Sequence, residues 1–213
     1  MATVAVIDYD MGNLHSVCKG LEKAGVSPQI TDNPVDIAAA DAVVLPGVGS
    51  FDPAMQHIKA RHLEIPIKLA IASGKPFLGI CLGLQILFEA SEEGKEEGLG
   101  VIAGKVRRFQ SEPNITIPHM GWNQLNLTQP DLPLWSNLPP HPYTYFVHSY
   151  YVAPVDESIN AATVTHGSQT VTAAIAYENL MAVQFHPEKS SHNGLQILAN
   201  FVSLIRSKVT VSS

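Results

Sequence analysis

The chain has 213 residues, 46% of them hydrophobic and 15% charged, with a formal charge of −6; this is enough for one globular domain with a full core, and an acidic balance without a basic stripe argues against a nucleic-acid partner. Its two cysteines, Cys18 and Cys81, exclude a disulfide framework, and without a Cys-x-x-Cys pair there is no metal signal. No apolar run reaches the ~18–20 residues that span a bilayer, and residues 1–8 lack a basic region followed by an apolar core, so the expectation is a soluble cytoplasmic protein with no membrane contact.

Residues 3–8 are a short apolar strand. Asp10-Met11-Gly12-Asn13 is a turn with Asn13 as candidate N-cap, and 14–24 carry Leu14, Val17, Cys18, Leu21 and Ala24 at helical spacing, closed by Gly25. Cys18 falls on the buried face of that helix. A short strand over 28–31, a helical turn over 37–40 and a β-branched strand over 41–45 follow. Pro46-Gly47-Val48-Gly49-Ser50 is too glycine-rich to belong to any element, 52–62 and 67–73 are helical, and 75–80 form a buried strand. Strand and helix thus alternate through the first ninety residues, which predicts a parallel sheet with helices on both faces and a site outside the carboxyl ends of its strands.

The charge run over 91–98 reads as a solvated loop. Beyond it the period changes, with strands over 104–110, 122–127, 143–152, 161–166, 171–177 and 181–185. The proline-rich stretch 128–142 is irregular, 195–206 is an amphipathic helix, and 207–213 is a loose tail. The chemistry gathers at the switch from strand to helix at Gly79-Ile80-Cys81-Leu82-Gly83. Glycine two residues to either side of a nucleophile on a sharp bend is the pattern of a nucleophile elbow. The helix is expected to continue through Leu84, Leu87 and Phe88, and the Leu82 N–H at its start faces whatever the sulfur attacks.

A free thiol, with a pKa of ~8.5, needs a base or a helix terminus to ionise at neutral pH. Of nine histidines, His186 is the most informative. It ends the apolar strand Met181-Ala182-Val183-Gln184-Phe185, Pro187 stops that strand, and Glu188 stands where a carboxylate can orient the imidazole. Pro46-Gly47-Val48-Gly49 sits at another strand end, able to aim backbone N–H groups at a developing oxyanion. It is not a dinucleotide loop, because the third glycine is missing, and no Walker loop or His-Glu-x-x-His site occurs. In Tyr145-Phe146-Val147-His148-Ser149-Tyr150, His148 and Tyr150 are expected to share one strand face with Phe146. Pro118-His119-Met120-Gly121-Trp122-Asn123 is an apolar aromatic turn, read either as a packed loop or as a partner-facing surface.

Gly79-Ile80-Cys81-Leu82-Gly83-Leu84-Gln85 with downstream His186-Pro187-Glu188 resembles the class I (triad) glutamine amidotransferases. Asp8-Tyr9-Asp10-Met11-Gly12-Asn13-Leu14, the Pro46 to Phe51 turn, Pro118-His119-Met120-Gly121-Trp122-Asn123 and His186-Pro187-Glu188-Lys189-Ser190 narrow the resemblance to the glutaminase subunits of imidazole glycerol phosphate synthases, over residues 4–205. It implies an α/β fold of the class I glutamine amidotransferase type, with a mostly parallel central sheet flanked by helices and extra antiparallel strands in the C-terminal half. A single amidotransferase domain would then span 1–213.

The resemblance further implies roles. Cys81 attacks the side-chain amide of L-glutamine, His186 moves the proton and Glu188 holds His186. The Leu82 N–H and an N–H from Val48 or Gly49 form the oxyanion hole. Gln85, His148, Ser149 and Tyr150 hold the substrate's α-amino and α-carboxylate ends, and neither cofactor nor metal is needed. Ammonia passes to a (β/α)8 cyclase subunit in a heterodimer of histidine biosynthesis, with Asn13, Met120, Trp122 and Lys189 near the interface and Lys189 as a gate. Three rival readings share the elbow: the amidotransferase subunit of anthranilate or aminodeoxychorismate synthesis, a partner-independent cysteine hydrolase, and a non-catalytic scaffold.

Overall fold

The first strand is buried on both faces, and the face changes from residue to residue. In the computed structural model, which describes residues 2–211, β1 (Thr3–Ile7) sends Val4 and Val6 into one apolar cluster and Ala5 and Ile7 into another. That is the two-sided burial of a strand between helical layers. The chain continues through α1 (Leu14–Lys23), β2 (Ser27–Thr31), α2 (Pro34–Ala39), β3 (Ala42–Gly47), α3 (Phe51–Ala60), α4 (Glu64–Ala72), β4 (Phe77–Cys81) and the single turn α5 (Leu82–Gln85). Then come β5 (Phe88–Ser91), β6 (Ile102–Arg108), β7 (His119–Gln124), β8 (Asn126–Leu127), β9 (Tyr143–His148), β10 (Tyr150–Pro154), β11 (Asn160–His166), β12 (Gln169–Tyr177), β13 (Leu180–Val183) and α6 (Ser191–Val211).

The main sheet has the order β2-β1-β3-β4-β13-β12-β11-β8. Its first five strands are parallel and the last three antiparallel, as the family resemblance implied. Helices α1 and α6 cover one face through Val17, Leu21, Leu198 and Phe201, and α3 and α4 cover the other through Met55, Ile58 and Ile67. Two smaller sheets, β10-β6-β5 and β7-β9, stand beside it. No helix of the described residues is long and apolar enough to cross a membrane.

Several expectations are corrected. The helix after the elbow ends at Gln85, and Phe88–Ser91 is a strand paired to β6. Residues 82–88 are buried on every side, so they offer no amphipathic period from which helix length can be read. Pro46 and Gly47 belong to β3. Pairing of β3 with β1 stops at Val44, so further along only the β4 side is bonded and a proline is tolerated as on an edge strand. The run over 143–152 breaks at Ser149, which leaves Phe146 and His148 on β9 and Tyr150 on β10, in different sheets. The run over 122–127 breaks at Leu125, whose N–H bonds the Pro142 carbonyl. Asn13 occupies the N-cap position of α1, but its side chain makes no capping bond. Helix α6 starts at Ser191 and runs through Val211, across most of the expected tail; no glycine or proline follows Arg206 to stop it. Residues 212–213 lie outside the described residues.

Candidate active site

Cys81 ends β4 with φ +55° and ψ −109°. This is a left-handed backbone that an L residue holds only when its surroundings force it. The surroundings do so through close approach. A Cβ on Gly83 would lie 1.9 Å from the Leu45 carbonyl oxygen, and one on Gly79 would lie 3.0 Å from Ala182 Cβ. The bend is therefore wedged between β3 and β13, and Cys81 stands in register with Gly47 of β3. The glycine turn and the thiol, 34 residues apart in sequence, face each other at the carboxyl end of the sheet.

On the other side β13, parallel to β4, delivers His186. Its Nδ1 lies 2.8 Å from Glu188 Oε1, with both side chains at most 2% exposed. The Nε2 is buried without a regular hydrogen bond, and on that side it faces the Cys81 sulfur electrostatically. Burial pushes the imidazole pKa down, but the sulfur and the Glu188 carboxylate outweigh it and push the value up to about 9. The arrangement is therefore built to hold an imidazolium next to sulfur, with a carboxylate behind it. The backbone is fastened too: His186 N–H donates to the Tyr145 carbonyl (3.0 Å), and Ser190 Oγ donates to the His186 carbonyl (2.7 Å) while accepting from Tyr145 N–H.

A pocket of about 110 Å³ opens above the sulfur, lined by Gly49, Cys81, Leu82, Gln85, Glu93, His148, Ser149 and Tyr150. Gln85, His148, Ser149 and Tyr150, singled out from the sequence, all reach it. Gln85 has already committed its amide nitrogen, which donates to the Tyr150 carbonyl (3.1 Å) and to Gln184 Oε1 (3.0 Å), so its carbonyl oxygen is what remains for a ligand. The Val48 N–H is also engaged, donating to the Met11 carbonyl at 2.9 Å. It does not point at an oxyanion position in this structure, contrary to its expected role.

Several residues of the site escape sequence reasoning. Glu93 belongs to the run read as a solvated loop, yet its carboxylate accepts the Phe51 N–H at the start of α3, and burial holds its pKa above the usual carboxylate range. Asp52 fixes the same loop by accepting from the Lys95 and Glu96 N–H groups. A charged run gives no sign that the start of a helix elsewhere in the chain will capture it. Gln184 is fully buried and donates to Cys81 Sγ at 3.7 Å; a glutamine inside an apolar strand was the available signal. The Tyr9 hydroxyl is buried beside Gly47, and burial together with the nearby Cys81 raises its pKa. His119 bonds His148 behind the pocket.

Of the expected interface residues, Met120 and Trp122 are 62% and 52% exposed, Lys189 is exposed and Asn13 half-buried. Cys18 is buried in the core between α1 and the sheet. Among the described residues no group of three or more His, Cys, Asp or Glu side chains is placed to hold a metal ion.

Comparison with known proteins agrees with this geometry. The model of the class-I glutamine amidotransferase family matches residues 5–204. Imidazole glycerol phosphate synthase subunit HisH of Microcystis aeruginosa is 72% identical, covering 100% of both chains. The protein of the same name from Gloeothece citriformis is 73% identical over 98% of this chain and 99% of its own. Among solved structures, a putative GMP synthase protein from Thermoplasma acidophilum has TM-score 0.75 at 18% identity, covering 100% of this chain and 98% of that one. PurLQS from Thermotoga maritima has TM-score 0.73 at 18% identity, over 96% and 99%; at such identities the likeness is one of fold. With its elbow, its strand-end histidine and these relatives, the chain belongs to the class-I glutamine amidotransferases, within the HisH subunits of imidazole glycerol phosphate synthase.

Proposed function

We propose that the chain is a cytoplasmic, single-domain glutaminase subunit that releases ammonia from L-glutamine for a cyclase partner in histidine biosynthesis. The observation that carries this reading is the buried Cys81–His186–Glu188 arrangement beneath a small polar pocket, in a chain 72% identical to a named HisH subunit. Cys81 sulfur attacks the side-chain carbonyl carbon of glutamine, and its proton passes to His186. Collapse of the tetrahedral intermediate breaks the C–N bond as His186 protonates the leaving nitrogen, giving ammonia and a glutamyl thioester. Water, deprotonated by His186, cleaves the thioester to glutamate and restores the thiol. Glu188 stabilises the imidazolium in both half-reactions. In the pocket, the Glu93 carboxylate suits the substrate's α-ammonium, with Gln85, His148, Ser149 and Tyr150 around the rest of the amino-acid head.

The oxyanion forms between Leu82, at the start of α5, and the 48–49 turn. With its N–H on the Met11 carbonyl, Val48 is in a resting state. Rotation of the peptide toward Cys81 completes the hole, and each such donor is worth ~3–4 kcal/mol in the transition state. Met11 lies in the turn before α1 that also carries Asn13. Contact of a (β/α)8 cyclase with this turn, with Met120 and Trp122, and with Lys189 at the ammonia passage accounts for coupling between the two proteins. Ammonia release from glutamine, measured with and without the cyclase, tests the reading. A large rise on adding the cyclase is expected; full activity of the chain alone, or none with the partner present, refutes it.

A further inference from the structure

The paired strands β7 and β9 have two unlike faces. Met120, Trp122 and Tyr145 lie on the exposed side, while His119, Phe146 and His148 are buried on the other. From the buried face a line of hydrogen bonds runs to the Tyr150 carbonyl, and its direction is set by groups that can only accept. The Tyr150 carbonyl accepts from His148 Nδ1 (2.8 Å), so the proton of that imidazole is on Nδ1 and its Nε2 must accept. Its partner at 3.0 Å, His119 Nδ1, therefore carries a proton, and His119 Nε2 accepts in turn from Asn123 Nδ2 (3.0 Å). Asn123 is held in that sense by donating to the Thr165 carbonyl and accepting from the Gln124 N–H.

The same Tyr150 carbonyl sets the other branch. The Gln85 atom facing it must be the amide nitrogen, which also meets Gln184 Oε1. That orients Gln184 with its nitrogen toward Cys81 Sγ. Three hydrogen bonds thus run from Asn123, next to exposed Trp122, into the Tyr150 carbonyl, while Gln85 donates both to that same carbonyl and to Gln184, which donates to the sulfur. Burial, with neighbouring His166, pushes His119 down to about 4, and burial pushes His148 down to about 3, so both stay neutral as this polarity requires.

We infer that Gln184 is a positioning residue that holds and stabilises the Cys81 thiolate, and that Gln85, held by the Tyr150 carbonyl, fixes its orientation. The inference rests on the reading of Cys81 as the nucleophile. Among charged or titratable groups, His186 and Tyr9 face the sulfur, and Glu93 and His148 share its pocket. Gln184 adds the one neutral donor bonded to the sulfur among the described residues.

The test is the pH-dependence of Cys81 alkylation by iodoacetamide in the full chain, followed at the Cys81 peptide by mass spectrometry. It needs neither glutamine turnover nor a partner. Gln184→Met keeps the length of the side chain without its donor. It should slow alkylation at pH 7 by about tenfold and move the half-maximal pH upward. Gln85→Leu removes the donor that orients Gln184 and should shift the profile the same way, whereas His119→Phe, on the far side of the Tyr150 carbonyl, should leave it in place. A folded Gln184→Met chain with an unchanged profile overturns the inference and leaves the proposed function standing. Should that variant not fold, a Gln85→Leu profile equal to that of the wild type overturns it instead. Wild-type Cys81 reacting no faster than a free thiol removes the nucleophile, and the proposed function falls with it.

Discussion

Glu188→Gln removes one charge and little volume from a site where both partners are buried. His186 rises from its ordinary value of ~6.5 to about 9 against the pull of burial. At ~1.36 kcal/mol per pKa unit, the folded site favours the imidazolium by about 3 kcal/mol. The Cys81 sulfur and the Glu188 carboxylate share that work, so loss of the carboxylate should return the imidazole to about 7 or below and cut the imidazolium population ten- to hundredfold at pH 8. Two measurements follow it: the His186 Cε1 resonance across pH 5–10, and the alkylation rate of Cys81, which should fall about tenfold at neutral pH. Stability moves with it. A folded pKa above the unfolded one means that the stabilisation is complete below pH 6.5 and disappears as pH rises toward 9; the Tm of the wild type should decline over that range, and the Glu188→Gln decline should be shallower. A His186 that still titrates near 9 without Glu188 would refute the assignment of its shift to this contact.

Two further outcomes concern the bend and the acid limb. Gly83→Ala places a methyl 1.9 Å from the Leu45 carbonyl oxygen, a fixed backbone atom, and should cost at least ~3 kcal/mol or prevent folding; Gly74→Ala, at φ +78° with room for a methyl, should cost only about 1 kcal/mol, so equal chemical-denaturation midpoints would contradict the wedge. His119 and His148 are depressed to about 4 and about 3, so the unfolded chain takes up protons first and stability is lost as pH falls from 6.5 toward those values; Tm between pH 7 and 4 should fall less steeply in His119→Phe, and parallel slopes would count against burial of a neutral imidazole.

The elements that could be read from sequence are those whose residues alternate or repeat. The parallel half was legible because β-branched runs such as 41–45 alternate with helices that have one apolar face, and the nearness of Cys81 to His186 because both stand at strand ends marked by glycine and proline. What escaped depends on contacts between distant segments. Glu93 and Asp52 tie the charged loop to the start of α3 through backbone N–H groups about 42 residues away, and nothing local announces such a bond. Leu84, Leu87 and Phe88 read as a helix because burial on all sides looks like an apolar face when only some neighbours are polar. The break at Ser149 is invisible because residues 143–152 are equally suited to either strand, and only their pairing with β7 or with β6 separates them.

The geometry also limits where regulation can act. The Cys81 bend is confined between Leu45 and Ala182, with no room for a methyl on Gly83, and the His186 backbone is held at both its N–H and its carbonyl. These parts of the site are rigid by construction. The 48–49 turn differs: the Val48 N–H is on a carbonyl outside the sheet, and Gly49 adopts φ +102°, a backbone that glycine leaves and re-enters at small cost. A Cβ at Gly49 would meet Met11 Cε at 2.7 Å, so the turn is packed against the same loop that accepts its hydrogen bond. A partner that moves the Met11 loop changes the bonding and the packing of the 48–49 turn in one step while leaving thiol, imidazole and carboxylate in place. On the proposed function, the nucleophile can then be assembled permanently and catalysis still depend on the second protein, since the adjustable element would stabilise only the transition state and leave the resting thiol unaffected.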